Sequence, residues 1–127
     1  MSGGRFDYKE GWIAEISETI QNEVIVSGKP IPKKYWDSYL REHPEEAFNS
    51  NYSESVVRRM EEAVYALKVA YIYARKIDRL IIGDTGEDSF ERQLSHELAE
   101  LNEKSKKGDG GVMYFPIDRT IDPYADD

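Results

Sequence analysis

The chain has 127 residues, 33% of them charged, with a formal net charge of -8 and no cysteine. That length fits one domain, and the acid surplus opposes the non-specific, phosphate-directed affinity for nucleic acid that basic residues supply. Disulfides, thiolate metal sites and a cysteine nucleophile are excluded, and no apolar run approaches the roughly 20 residues of a membrane span.

Residues 1–9 read as a lead-in and 10–26 as a first helix. Ile13, Ile16, Ile20 and Val24 keep the three-and-four spacing of one helical stripe, and Ser27-Gly28 stops it. Pro30 and Pro32 force an extended approach to a short helix over 33–42, with Tyr35, Trp36, Tyr39 and Leu40 as its contact side. Pro44 ends that helix or opens another turn, and an ordered loop runs on to Tyr52. The strongest element covers 54–82. Ser53 is its N-cap, and Met60, Ala63, Leu67, Ala70, Ala74, Ile77 and Ile81 form a heptad-like seam. The alanines admit close approach of another helix, within the chain or across a homodimer. Gly83 tolerates the positive φ of a C-terminal cap, and Asp84-Thr85-Gly86 makes the turn. A last helix over 87–106 presents Phe90, Leu94, Leu98 and Leu101. "KKGDGG" breaks it, 112–116 reads as a short extended segment, and 117–127 is an acidic tail. Lead-in and tail are expected to be less ordered than the rest. The fold class is therefore all-α. One helical domain over 1–127 holds a bundle with one long central helix, packed antiparallel to a C-terminal helix, and a short extended C-terminal segment.

The long helix carries six basic residues against four acidic ones, and 84–106 carries seven acidic against three basic. That contrast suits antiparallel pairing. At 100° per residue, Arg58, Lys68, Arg75, Lys76 and Arg79 fall in one quadrant with Tyr65 in the same sector. One reading is a solvated flank bridged to the acidic helix. The other is an anion site, where guanidinium forks bind phosphate and tyrosine stacks on a base. The residues singled out for ligand or partner binding are Arg5, Tyr8, Arg58, Tyr65, Arg75 and Arg79. Asp78 lies at the edge of the seam, where a half-buried carboxylate can serve as a perturbed acid or base; the favoured reading is that it pairs with Arg75 or accepts a tyrosine hydrogen bond.

No catalytic set is assigned. Glu97 and Glu100 share a helical face and form an alternative Mg²⁺ site. Such acidic clusters occur in all-α nucleotide pyrophosphohydrolases of the MazG and dimeric dUTPase type, but the second carboxylate pair of that family is missing downstream. Asp84-x-Gly86-x-Asp88 lacks the ligand spacing of an EF-hand. His43 and His96 are the only histidines and sit in unrelated settings. There is no P-loop or Rossmann glycine pattern, so no cofactor is expected.

Three stretches carry a family resemblance: "SGGRFDYKE", "GWIAEISETIQNEV" and "EEAVYALKVAYIYARKIDRLIIGDTGEDSFERQL". In that order they resemble small uncharacterised proteins of bacteriophages and mobile elements. The Gly-Gly-Arg-Phe-Asp-Tyr opening and the Gly-Asp-x-Gly-Glu-x-Ser-Phe turn are the distinctive parts, and the proline-rich 28–50 stretch stands outside the resemblance. The resemblance transfers no catalytic residue. It implies a phage origin, expression in the cytoplasm of a bacterial host cell, and an opening that is native sequence. An opening without a signal peptide's basic and apolar regions agrees with that location.

Three functions are expected in this order. The first is a non-enzymatic, phage-type binding protein that engages a bacterial host protein, with counter-defence inhibition as its natural example. The acid surplus suits a basic partner or a mimic of nucleic acid, and exposed Tyr and Trp supply its contacts. The second is a small-ligand protein that binds or sequesters a nucleotide, using Arg5, Tyr8 and the basic flank. The third is a divergent Mg²⁺-dependent pyrophosphohydrolase using Glu97 and Glu100.

Overall fold

The computed structural model describes residues 4–124. Met1 to Gly3 of the lead-in and Ala125 to Asp127 of the tail lie outside the described residues. Among those described, four α-helices follow one another: α1 (Glu10–Val26), α2 (Ser38–Glu42), α3 (Glu54–Ile81) and α4 (Glu87–Glu103). An antiparallel pair follows α4, β1 (Lys106–Lys107) with β2 (Met113–Tyr114).

Helix α3 is the centre of a helical bundle. The Ser53 hydroxyl starts it by accepting the Val56 N–H at 3.3 Å. Helix α1 packs antiparallel along one flank. At one end the Tyr52 N–H donates to the Ser27 hydroxyl at 3.0 Å, and at the other Ile13 and Ala74 line one hollow. Helix α4 returns antiparallel on the second flank, where the Tyr65 hydroxyl donates to Asn102 Oδ1 at 2.6 Å. Val24 and Val64 are fully buried, and burial of each contributes about 1.5–3 kcal/mol.

The most enclosed line of α3 differs from the expected seam. Val57, Glu61, Val64 and Asp78 are buried along one line and Lys76 beside it, whereas the seam residues Met60, Ala63, Leu67, Ala74 and Ile77 are half-buried and Ala70 and Ile81 are exposed. The buried line is turned from the seam by about one residue step, roughly 100°. The cause is a third layer. Residues 115–117 lie against the front of α3, where Phe115 N–H donates to the Glu61 carbonyl at 3.1 Å and Ile117 N–H to Glu61 Oε2 at 2.9 Å. In α1 the expected stripe holds except at one position: Val24 is buried and Ile13 and Ile20 are half-buried. Ser17 takes the enclosed position and Ile16, expected in the stripe, is exposed.

A second carboxylate of α3 holds the other end of the chain. Asp78 Oδ1 accepts the backbone N–H of Arg5 at 2.7 Å and of Phe6 at 3.1 Å. These are its partners in place of the expected Arg75 or tyrosine hydroxyl.

The helix expected over 33–42 is two pieces, a 3-10 turn at Lys33–Tyr35 and α2. Trp36 between them is extended, and its indole N–H donates to the Ile31 carbonyl at 2.8 Å. Asp37 then restarts the helix by accepting the Leu40 N–H at 2.9 Å, since a side-chain acceptor at an N-cap competes with continuation of the preceding turn. The whole 28–50 stretch is closed at its base by Gly28 N–H to the Ser50 carbonyl and Ile31 N–H to the Ala47 carbonyl. Helix α4 ends at Glu103 instead of residue 106, because Lys106 and Lys107 pair with Tyr114 and Met113.

Candidate functional site

Turning the enclosed line of α3 brings Lys68, Tyr71 and Arg75 to its front, three and four residues apart on one helical line. Across from them α1 presents Ser17 and Gln21, and α4 presents Glu97 and Lys104. The flanking helices stand apart over this line, leaving a groove of about 430 Å³. Phe115 closes the end nearer the start of α3, where its backbone is tied to Glu61. Ser17 is buried, and its hydroxyl accepts a hydrogen bond from Gln21 Nε2 at 3.3 Å.

Glu97 holds α4 to α3. Its Oε1 pairs with Arg75 Nη2 and its Oε2 with Lys76 Nζ at 2.6 Å. Burial alone would raise its pKa. The hydrogen bond from Lys76 and the charges of Arg75 and Lys76 outweigh that, and they hold the carboxyl below the ordinary glutamate value. Two cations thus serve one carboxylate. Arg75 Nε is buried with no hydrogen-bond partner among the described residues. The Lys68 ammonium lies 4.6 Å from the centroid of the Phe115 ring. Neither Lys68 nor Lys104 meets a carboxylate at ion-pair distance among the described residues.

The six residues singled out from the sequence do not form one pocket. Arg58 stacks at 3.7 Å over the Tyr114 ring and lies 3.6 Å from Glu61 Oε1. Tyr65 is bonded to Asn102. Arg75 lines the groove. Arg79 is exposed, roughly 30 Å along α3 from Arg58 at 1.5 Å per residue. Arg5 lines a shallow hollow with Phe6, Ile13 and Ala74. Tyr8 is exposed and has a positive φ of 63°. The groove also uses Lys104 and Phe115, which sequence reasoning missed. Only the Lys68-Tyr71-Arg75 spacing on α3 signals it in the sequence.

For the metal alternative, both oxygens of Glu97 are engaged by cations, and Glu100 is exposed beside His96. A separate group, His43, Glu45 and Glu46, brings its ligand atoms within 4.8 Å of one another in the 28–50 stretch. Glu45 and Glu46 are exposed, and Glu46 already accepts the Tyr39 hydroxyl.

The back of the layer, opposite the groove, is apolar and open. On α1, Trp12 and Ile16 lie one turn apart and are 62% and 52% exposed. On α3, helical spacing places Ala66, Ala70, Tyr73 and Ile81 on the same side, and all four are exposed. Among the described residues, no helix is long and apolar enough to cross a membrane. Comparison with known protein families, with curated proteins and with solved structures finds no match to this chain.

Proposed function

We propose that the chain is a non-enzymatic binding protein that engages a partner protein through the back of α1 and α3. The observation that carries this reading is the exposed Trp12–Ile16 pair on a helix whose only charged residues are Glu10, Glu15, Glu18 and Glu23. Exposed apolar patches rimmed by polar residues mark contact surfaces, and tryptophan is prominent among the residues that concentrate interface energy. Glu15 and Glu23 border the pair at helical spacing, whereas Glu10 and Glu18 turn to the two hollows. On a chain of net charge -8 this acidic edge favours a partner whose surface has an apolar centre and a basic border. With the resemblance to phage proteins, the proposed partner is a bacterial host protein in the cytoplasm, and counter-defence inhibition is the role that fits.

The test is affinity capture from bacterial lysate with the natural chain and with a Trp12→Ala/Ile16→Ala variant whose helicity is unchanged. A stoichiometric protein held by the first, lost by the second and eluted by salt supports the proposal. Equal retention by both chains, or none above background, removes it. Sedimentation of the purified natural chain as a dimer, with the variant as a monomer, assigns the face to a second copy instead.

A further inference from the structure

The groove between α1 and α4 lies on the opposite side of α3 from that contact face. We infer that it is a binding site for a small organic anion with a flat, apolar body, the class to which nucleoside monophosphates and aromatic carboxylates belong.

The lining is formally neutral, three cations against three carboxylates, on a chain of net charge -8. Lys68, Arg75 and Lys104 line it, and Lys76 stands behind Glu97. Three carboxylates face these four cations. Glu97 is already satisfied by Arg75 and Lys76, and Glu18 and Glu100 are exposed at the rim, where water screens them. The amines of Lys68 and Lys104 are left without a carboxylate partner among the described residues. An anionic group placed between them would gain two charge-assisted hydrogen bonds.

The rest of the groove suits a flat body. Leu67, Ile72 and Leu101 give apolar walls, and Tyr71 and Phe115 offer rings for offset or edge contacts. Gln21 offers a polar contact for orientation beside the buried Ser17. A volume of about 430 Å³ falls in the range of roughly 300–1,000 Å³ typical of small-molecule sites. Six of the fourteen lining residues are charged, more than in the usual mostly apolar site, which suits a ligand that itself carries charge.

The experiment is amide chemical-shift mapping of the full chain with AMP, UMP and 2-naphthoate as probes and inorganic phosphate as control. At least one aromatic probe should move the amides of Lys68, Tyr71, Leu101 and Phe115 saturably, and more tightly than inorganic phosphate. Lys68→Met and Lys104→Met keep the apolar stem and remove the charge. Each should raise the Kd by about tenfold, the loss expected for a hydrogen bond to a charged group. Lys104→Met should melt at the natural temperature, because its ammonium holds no ion pair, and Lys68→Met should melt only slightly lower, through loss of the ammonium's contact with the Phe115 ring. The inference is overturned if none of the three aromatic probes shifts these amides at millimolar concentration. It is equally overturned if the combined Lys68→Met/Lys104→Met variant binds as the natural chain does, or if inorganic phosphate binds as tightly as the aromatic anions.

Discussion

Gly4 lies against the carboxylate of Asp78, so that a Cβ at this position would stand 2.4 Å from Oδ2. The backbone there has φ of 79°, a conformation that glycine adopts without steric cost. Only with that close approach do the N–H groups of Arg5 and Phe6 reach the same oxygen. Gly4→Ala is expected to lower unfolding free energy by about 1–3 kcal/mol, from backbone strain and displacement of the carboxylate. Asp78→Ala leaves two N–H donors unpaired, at a cost of about 1–3 kcal/mol. In urea unfolding the pair should be non-additive. Once Asp78 is truncated, Gly4→Ala costs only its strained φ. Strictly additive losses would mean that the two positions are independent.

Glu61 does for the C-terminal segment what Asp78 does for the opening. Glu61→Ala should release Ile117, at a cost of about 1–3 kcal/mol for the stranded N–H. Glu61→Gln keeps an acceptor oxygen and should cost less. Hydrogen exchange at the Ile117 amide reads the effect directly. It should accelerate more than exchange at Phe115, whose partner is the Glu61 main-chain carbonyl. Equal protection of Ile117 in the natural chain and the alanine variant would count against this role.

The Glu97 ion pairs make stability depend on pH in the acid range. Its carboxyl titrates below the ordinary value of 4.5 in the folded chain. The stabilisation is therefore fully present above 4.5, and it disappears as pH falls through the lowered folded value. Glu97→Gln should be less stable than the natural chain at neutral pH, and the two melting curves should converge on acidification below 4.5. Lys76→Met removes the largest of the lowering influences and leaves the burial that raises the pKa. Its acid limb should move to higher pH. Melting temperatures that fall in parallel for all three chains from pH 6 to pH 3 would rule out Glu97 as the source.

The local part of this fold was legible in the sequence. The three-and-four spacing places α1 over Glu10–Val26, as expected, and α3 starts at the Ser53 cap. Gly83 has the positive φ, 87°, of a helix stop. What was not legible depends on distant residues. The line of α3 that faces the core was set by segments 72 and 56 residues away, through Asp78 to Phe6 and Glu61 to Ile117, and no helical period carries that information. Periodicity put Asp78 at the edge of the seam and gave Glu61 no place in it, yet both are buried acceptors, for the backbone of Arg5 and Phe6 and of Ile117. The candidate groove was half visible for the same reason. Lys68, Tyr71 and Arg75 announce a shared helical face, but Lys104 and Phe115 join them only because α4 and residues 115–117 return to α3.

Trp12 offers the sharpest separation of folding from binding. Its ring is 62% exposed, so Trp12→Ala should change stability by less than about 0.5 kcal/mol. At the centre of a protein contact the same change should cost about 2 kcal/mol or more of binding free energy, read as faster dissociation of the captured partner. Glu15→Gln should act differently. Glu15 is exposed beside the apolar pair, and an edge charge mainly steers encounter. Its neutralisation should slow association and weaken the salt dependence, leaving the dissociation rate nearly unchanged. Surface plasmon resonance with the captured partner at two ionic strengths distinguishes the two effects. If Trp12→Ala left both rates unchanged, the contact would lie elsewhere on the molecule, because no exposed residue of α1 presents a larger apolar surface.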